Sequence, residues 1–271
     1  MENQDSKKEM SFLGHLEELR WRLMKSAIAV IVVASVLFYY TTPVIEHIYL
    51  AMAESNFPTY IFFCKLSSWI GIDGLLCAND IPIDLQSIEM TKQFSTNMYF
   101  AIVGGIVLVF PYIFHQFWSF LKPGLKESEI NVTRGVVFFS SILFFLGVLF
   151  GYYLISPLCV QFFGGYKLSA DIQNNFTISS YMSMITTSTF FSGLFFELPI
   201  VIFILSKLGL VSSLMLKKFR KHALVGILLL SAIITPPDVI SQVLVSIPIL
   251  LLYEVGIGVA KIVEKKQALN D

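Results

Sequence analysis

The sequence predicts an all-α integral membrane protein with six transmembrane helices, the last two of them short. Its 271 residues are 55% hydrophobic and only 14% charged, with a mean hydropathy of +0.73, whereas about a quarter of the residues in soluble domains are charged. Hydrophobic segments recur at about 22–43, 94–118, 134–158, 179–206, 222–235 and 239–260. The first four can cross a hydrocarbon core of about 30 Å. The last two are marginal and predict a hairpin of short helices that does not reach fully across.

These segments place the whole chain, 1–271, in one membrane domain. Residues 1–21 are polar and charged and lack an apolar run ending in small residues, so no cleaved signal peptide is expected. The loop 44–93 is too long for a turn and predicts short interfacial helices or a cap. Residues 261–271 form a polar tail.

The distribution of positive charge predicts the orientation. Six spans place both termini on one side, together with the loops after the second and fourth spans. Of the nineteen Lys and Arg residues, all but Lys65, Lys92 and Lys167 fall on that side. Cytoplasmic loops are the ones enriched in Lys and Arg, so we expect both termini in the cytoplasm.

Three cysteines occur in the chain. Cys64 and Cys77 both lie in the long outer loop, where an oxidising compartment permits a disulfide. Two unpaired thiols are the alternative. Cys159, near the outer end of the third span, is predicted to be a packed core residue.

The fourth span carries one carboxylate, Glu197, in a run that is otherwise apolar from about 182 to 205. A charge at the middle of a bilayer costs about 2.5–3.5 kcal/mol on insertion scales. The side chain is therefore expected to face other helices, a water-filled groove or a partner. Pro199 follows closely and predicts a kink, and Gly147-x-x-x-Gly151 in the third span favours close helix packing within the chain.

Two cytoplasmic elements carry patterned polar residues. The segment before the first span is amphipathic, and Glu18 and Arg22 stand at i, i+4, which indicates an interfacial helix with local ion pairs. The second span ends in an aromatic stretch and a Pro123-Gly124 turn. Glu129 follows in the first turn of the third span, where an acid complements the helix dipole.

The outer end of the short hairpin carries a third pattern. Pro236 and Pro237 predict an extended turn, and Asp238 can cap the helix that follows. Thr235 and Gln242 would lie at membrane depth, where polar groups require partners within the chain or on another transmembrane helix.

Several classes of function are not expected. The sequence lacks a phosphate-binding loop, a metal-binding His pattern and a Gly-x-Ser-x-Gly nucleophile motif. No catalytic residue, metal or cofactor is predicted, and we do not expect an enzyme. The net charge of zero is not typical of a nucleic-acid binder.

Taken together, these motifs resemble the TatC family, the multi-spanning receptor subunit of the twin-arginine protein translocase. The resemblance covers nearly the whole chain and depends on five motifs in the family's order. They are His15-Leu16-x-Glu18-Leu19-Arg20-x-Arg22-Leu23, Pro111 to Gln116-x-Trp118-x-Phe120-x-x-Pro123-Gly124-Leu125-x-x-x-Glu129, Phe196-Glu197-x-Pro199, Thr235-Pro236-Pro237-Asp238-x-x-Ser241-Gln242 and Tyr253-Glu254.

The resemblance implies a concave, glove-like bundle in the bacterial cytoplasmic (inner) membrane, and a receptor that binds twin-arginine signal peptides of folded precursors. Single-span partner subunits of the TatA/TatB type would join it in a multimeric complex driven by the proton-motive force. The residues that match family positions fall into three groups: Glu18 and Glu129 for the arginine pair, with Arg20, Gln116 and Phe120 around them; Glu197 as the acid of an intramembrane polar groove; and Thr235 and Gln242 for the partner subunit.

The chain departs from the family pattern at His115, at Ile130-Asn131 and in its longer first outer loop. A function from another class is also considered, a proton- or ion-coupled solute transporter in which Glu197 is the coupling carboxylate. Transporters of that kind usually contain paired repeats with broken helices, and no repeat is evident between the two halves.

Overall fold

The computed structural model describes residues 12–70, 84–121, 135–166, 169, 175–234 and 239–268. Helices form most of this part of the chain. In order, the elements are α1 (Phe12–Tyr39), α2 (Thr41–Val44), a π turn (Ile45–Tyr49), a 3-10 turn (Leu50–Ala53), α3 (Pro58–Ile70), β1 (Asp84–Gln86), α4 (Lys92–Leu121), α5 (Val136–Phe150), a π turn (Gly151–Ile155), α6 (Ser156–Gly165), β2 (Asn175–Thr177), α7 (Ile178–Phe196), α8 (Leu198–Lys207), α9 (Ser213–Lys218), α10 (Arg220–Ile234) and α11 (Val239–Gln267).

The predicted all-α membrane fold is confirmed. Within the described ranges, five helical stretches are long and apolar enough to cross a membrane. They are Gly14–Tyr39, Lys92–Leu121, Val136–Gly165, Ile178–Lys207 and Val245–Gln267. The remaining predicted span, α10, has 15 residues and is about 22 Å long at 1.5 Å per residue. It is short, as the sequence predicts.

The last helix is longer than predicted. The sequence predicts a short helix over 239–260, whereas α11 has 29 residues and continues to Gln267. Hydropathy falls after residue 260 because charged residues enter, but the helix still has a packing face there. Val263 is 4% exposed, and both oxygens of Glu264 accept hydrogen bonds from Ser213. Tertiary contacts therefore extend the helix beyond its apolar part.

The amphipathic segment at the start of the described chain is not a separate helix. It forms the first turns of α1, a single helix of 28 residues that continues through the first span. Its polar residues therefore have a fixed rotation relative to the membrane-spanning part of the same helix.

Small residues bring the third and fourth spans close together. A Cβ on Gly147 would lie 2.7 Å from the backbone oxygen of Ser192, and one on Gly151 would lie 2.8 Å from the Cα of Thr189. A side chain does not fit at either position without a shift of the neighbouring helix. The Gly147-x-x-x-Gly151 pattern thus serves packing between helices of the same chain.

The fourth span is broken at its acidic residue. Helix α7 ends at Phe196, Glu197 stands between the helices, and α8 begins at Leu198. Pro199 occupies the first turn of α8, where its missing N–H is not required. The interruption predicted from proline is therefore present, and it coincides with the carboxylate.

The connection between the first and second spans meets the connection between the third and fourth spans in a short sheet. β1 pairs in parallel with β2, with Leu85 opposite Phe176. A buried tyrosine cluster lies beneath: the Tyr49 hydroxyl is 2.7 Å from the Thr186 hydroxyl, and Tyr181 donates to the Tyr49 carbonyl at 2.8 Å. Burial raises the pKa of Tyr49 well above its usual value, so its hydroxyl remains protonated.

The cysteines of the outer loop are described only in part. Cys64, on α3, takes part in a disulfide. Cys77 lies outside the described residues, so the Cys64–Cys77 pair stays a prediction. Cys159 is buried and lies in the core cluster that includes Ile155 and Ile227.

Candidate functional site

An ion pair forms the centre of the candidate recognition surface. Glu18 and Arg22 are one turn apart on α1, and the guanidinium donates to a single carboxylate oxygen, Oε1, through Nη2 at 2.5 Å and Nε at 2.9 Å. Each side chain is 25% exposed. The i, i+4 spacing places the two residues on the same face of the helix.

The same arginine connects α1 to α4. Its Nη1 donates to Oε1 of Gln116 at 3.3 Å. One turn further along α4, the Phe120 ring stacks on His15, with ring centroids 4.2 Å apart and an interplanar angle of 20°. The structure therefore brings three predicted residues, Glu18, Gln116 and Phe120, to one surface between the two helices.

The other predicted residues of this surface are differently placed. Arg20 is exposed on α1. Glu129 and the turn residues Pro123 and Gly124 lie outside the described residues, so their positions relative to Glu18 stay a prediction.

The second oxygen of Glu18 has no donor among the described residues. Oε2 is enclosed and has no hydrogen-bond partner in the part of the chain that the structure describes. A carboxylate has about four lone-pair sites, and leaving an enclosed charged oxygen without a donor is costly. The site therefore has unfilled capacity to accept a hydrogen bond.

Sequence reasoning assigns no role at this surface to two of its residues. The sequence identifies Arg22 only as an i, i+4 neighbour of Glu18, whereas its bond to Gln116 joins residues 94 positions apart. His15 belongs to the N-terminal motif without a predicted contact. The i, i+4 spacing signals the ion pair, but no local pattern indicates the contacts across to α4.

Glu197 is buried between helices. It is 6% exposed, and the hydroxyl of Ser140 on α5 donates to its Oε2 at 2.7 Å. Its Oε1 is enclosed and, within the described ranges, has no hydrogen-bond partner. Among these residues, the carboxylate at the break between α7 and α8 thus has one donor for its two oxygens.

A groove of about 380 Å³ lies elsewhere, among α1, α4, α5, α7 and the π turns. Its wall is apolar apart from hydroxyl groups such as those of Thr186 and Thr189, and Glu197 does not contribute to it. The resemblance implies that Glu197 lines an intramembrane polar groove. Among the described residues, its carboxyl group accepts a hydrogen bond from Ser140 where the third and fourth spans pack closely. The polar groove itself stays a prediction.

The predicted partner-contact residues are described in part. The Gln242 side chain donates from Nε2 to the Leu228 carbonyl at 2.8 Å, which joins α11 to α10. Thr235, Pro236, Pro237 and Asp238 lie outside the described residues. Gln242 thus satisfies a carbonyl of the short helix from within the chain.

A metal site is not formed by the described residues. No group of three or more His, Cys, Asp or Glu side chains close enough to hold an ion occurs among them.

Comparison with known proteins gives consistent results. The sequence model of the family described as "Sec-independent protein translocase protein (TatC)" matches residues 14–248. The Sec-independent protein translocase protein TatC of Blattabacterium sp. subsp. Periplaneta americana is 35% identical over 264 residues, which cover 97% of this chain and 99% of that one. The TatC of Helicobacter pylori is 34% identical over 260 residues, covering 95% and 90% of the two chains.

Solved structures agree with the sequence relatives. A crystal structure of the twin-arginine translocase receptor TatC superposes with a TM-score of 0.73 at 29% identity, covering 92% of this chain and 99% of that one. A second crystal structure of the same receptor, in the detergent DDM, gives a TM-score of 0.73 at 30% identity.

Proposed function

This chain belongs to the TatC family of Sec-independent protein translocase proteins, and from that premise we propose that it is the receptor of a twin-arginine translocase. It is a multi-pass membrane protein and a component of a protein translocase. The proposal is that it binds the arginine pair of signal peptides on folded precursors, through the surface that contains Glu18.

The enclosed, unused oxygen of Glu18 is the observation that supports this proposal best. Arg22 donates twice to Oε1 and leaves Oε2 without a donor among the described residues. A guanidinium group carries five N–H donors in a planar fork and binds carboxylates through charge-assisted bonds. An arginine of a signal peptide would supply the missing donor.

The neighbouring residues suit the rest of such a peptide. Gln116 accepts a hydrogen bond from Arg22, and Phe120 stacks on His15, so an amide and an aromatic ring lie at the same surface as Glu18; guanidinium groups stack on aromatic faces. Glu129 is proposed as the acceptor for the second arginine, and Arg20 as part of the surrounding surface. The apolar part of the peptide would lie along the helices.

The remaining elements of the proposal concern assembly. We expect both termini to lie in the cytoplasm of a bacterial cell. Single-span partner subunits of the TatA/TatB type would contact the chain at Thr235 and Gln242, where α10 ends and α11 begins. The multimeric complex would use the proton-motive force, as the resemblance to the family implies.

No observation favours the solute transporter considered from the sequence. Glu197 is 6% exposed and is not part of the apolar groove. A coupling carboxylate needs an aqueous route, and the described residues around Glu197 are closely packed helices.

Crosslinking to a twin-arginine precursor tests the site. A photoreactive group beside the arginine pair should label the wild-type protein in membranes. The Glu18→Ala and Glu129→Ala variants should each lose most of this labelling, and the double variant nearly all of it. Glu17→Ala is the matched control, because Glu17 is the adjacent acid on α1 and is exposed.

A precursor with two lysines in place of the arginines separates geometry from charge. Lysine keeps the charge but cannot form the planar, bidentate contact, so its labelling should fall even with the wild-type receptor. Undiminished labelling of the double variant by the arginine precursor would refute the assignment of Glu18 and Glu129.

A further inference from the structure

The helix α3, in the first outer connection, has an exposed face that is largely apolar. The exposed residues of α3 recur at helical spacing and include three large hydrophobic side chains: Ile61 is 44% exposed, Phe62 61% and Trp69 85%. Lys65 is the one charged residue among them. A face of this composition is unfavourable in water but is typical of a helix lying at a membrane surface.

The opposite face of α3 is firmly packed. Tyr60 is 2% exposed and Ser67 1% exposed, and the Tyr60 hydroxyl lies 3.1 Å from the Met52 carbonyl and 3.3 Å from the Pro157 carbonyl. The ring of Phe57, just before the helix, stacks on Tyr153 with centroids 5.9 Å apart. The rotation of α3 is therefore fixed, and its apolar residues cannot turn inward.

These contacts also fix the depth of α3. Pro157 lies in the third spanning helix, which begins at Val136 and follows Arg134 in the sequence. Twenty-one residues at a rise of about 1.5 Å place Pro157 about 31 Å from that end. The hydrocarbon core is about 30 Å thick. With Val136 placed at one boundary of the bilayer, Pro157 and the helix α3 bonded to it lie level with the other boundary.

We propose that the exposed face of α3 is a lipid-binding surface that lies in the headgroup–acyl boundary of the outer leaflet. Trp69 matches the preference of Trp for the interface. Phe62 and Ile61 lie against the acyl chains, and Lys65 extends its ammonium group to the lipid phosphates along an apolar stem. The surface anchors the outer cap to the membrane and does not depend on the twin-arginine function.

Fluorescence quenching tests this placement. Emission from Trp69 is isolated as the difference between the Trp21→Phe variant and the Trp21→Phe/Trp69→Phe variant, since Trp118 is 6% exposed and remains in both. Both substitutions replace exposed rings with a smaller ring, so folding is preserved. The proteins are placed in phosphatidylcholine nanodiscs of two sizes, one that holds a single copy and one that holds several.

The expected result is depth-dependent. Bromine atoms on the acyl chains close to the headgroup should lower Trp69 emission about twofold or more, and bromines near the chain ends should lower it less, because interfacial helices lie only about 5–10 Å deep. Acrylamide in the aqueous phase should quench weakly. Adding anionic lipid to the discs should change the quenching of Trp69 by brominated lipid less in the Lys65→Gln variant than in the wild type. The Lys92→Gln control should respond to anionic lipid as the wild type does.

Two outcomes would overturn the proposal. Strong quenching by acrylamide with no effect of brominated lipid, in discs of both sizes, would place the face in water. Protection from acrylamide only in the discs that hold several copies would assign the face to contact with a second copy of the chain.

Discussion

The buried hydrogen bond between Ser140 and Glu197 makes a quantitative prediction. Ser140 is 0% exposed and donates to Oε2 at 2.7 Å, while Oε1 lacks a partner within the described ranges. Ser140→Ala removes the one donor that the described residues offer to this carboxyl group. Leaving a buried polar group unsatisfied costs about 1–3 kcal/mol, and more where the group is charged.

The cost can be measured as thermal stability in a fixed detergent or nanodisc. A loss of about 2 kcal/mol should lower Tm by roughly 4–8 °C for a chain of this size. Ser141→Ala is the matched control: it is the adjacent serine, and its hydroxyl bonds the Val137 carbonyl of its own helix at 2.7 Å. That variant should remain within about 0.5 kcal/mol of the wild type.

A double-mutant cycle separates the pair from other effects. Replacing both partners of a buried polar pair by apolar side chains can be nearly neutral, so the Glu197→Leu/Ser140→Ala double variant should retain most of the stability. In the Glu197→Leu background, Ser140→Ala should cost little, which corresponds to a coupling of about 1–3 kcal/mol. Two results would contradict a stabilising Ser140–Glu197 bond: a loss from Ser140→Ala that is equal in both backgrounds, or a loss from Ser140→Ala no larger than that from Ser141→Ala.

Two further predictions concern packing and capping. Gly147→Ala should destabilise the protein by about 1–3 kcal/mol, because the new Cβ would lie 2.7 Å from a backbone oxygen of α7. Gly226→Ala is the control: a Cβ there would meet nothing within 4 Å, so the change should be neutral or slightly stabilising in its helix. Thermal unfolding of both variants measures the difference. Glu264→Ala should lower the unfolding free energy by about 1–2 kcal/mol, because it removes both hydrogen bonds to Ser213 at the start of α9. Glu254→Ala breaks a half-exposed ion pair and should lower it by less than about 1 kcal/mol. Equal losses in the two variants would contradict the capping role of Glu264.

Much of the fold follows from one-dimensional patterns. Six apolar segments predict the helices because length and hydropathy suffice for a span, and Pro199 marks the break in the fourth span. The apolar segment 222–235 likewise predicts the short α10. The end of α11 is not predicted, because hydropathy does not record the contact of Glu264 with α9 that helps to hold the polar end of the helix.

The candidate site was predictable in part. The resemblance to the family identifies Glu18, Gln116 and Phe120 from their motifs alone, and the fold brings them to one surface. The role of Arg22 as a bridge to Gln116 could not be read from the sequence, since the spacing of 94 residues has no periodic signature.

The membrane class, the order of the apolar spans, the family and the residues that carry its motifs follow from the sequence, because each depends on composition or on local spacing. The tertiary structure is needed to know which of the described polar atoms have hydrogen-bond partners and which faces remain exposed. It enclosed Oε2 of Glu18 without a donor among those residues, placed Glu197 against Ser140, and left Trp69 at the surface. These outcomes depend on how helices that are distant in sequence pack together. A few hydrogen bonds and close glycine contacts fix the positions of these helices, and no local sequence pattern encodes such contacts.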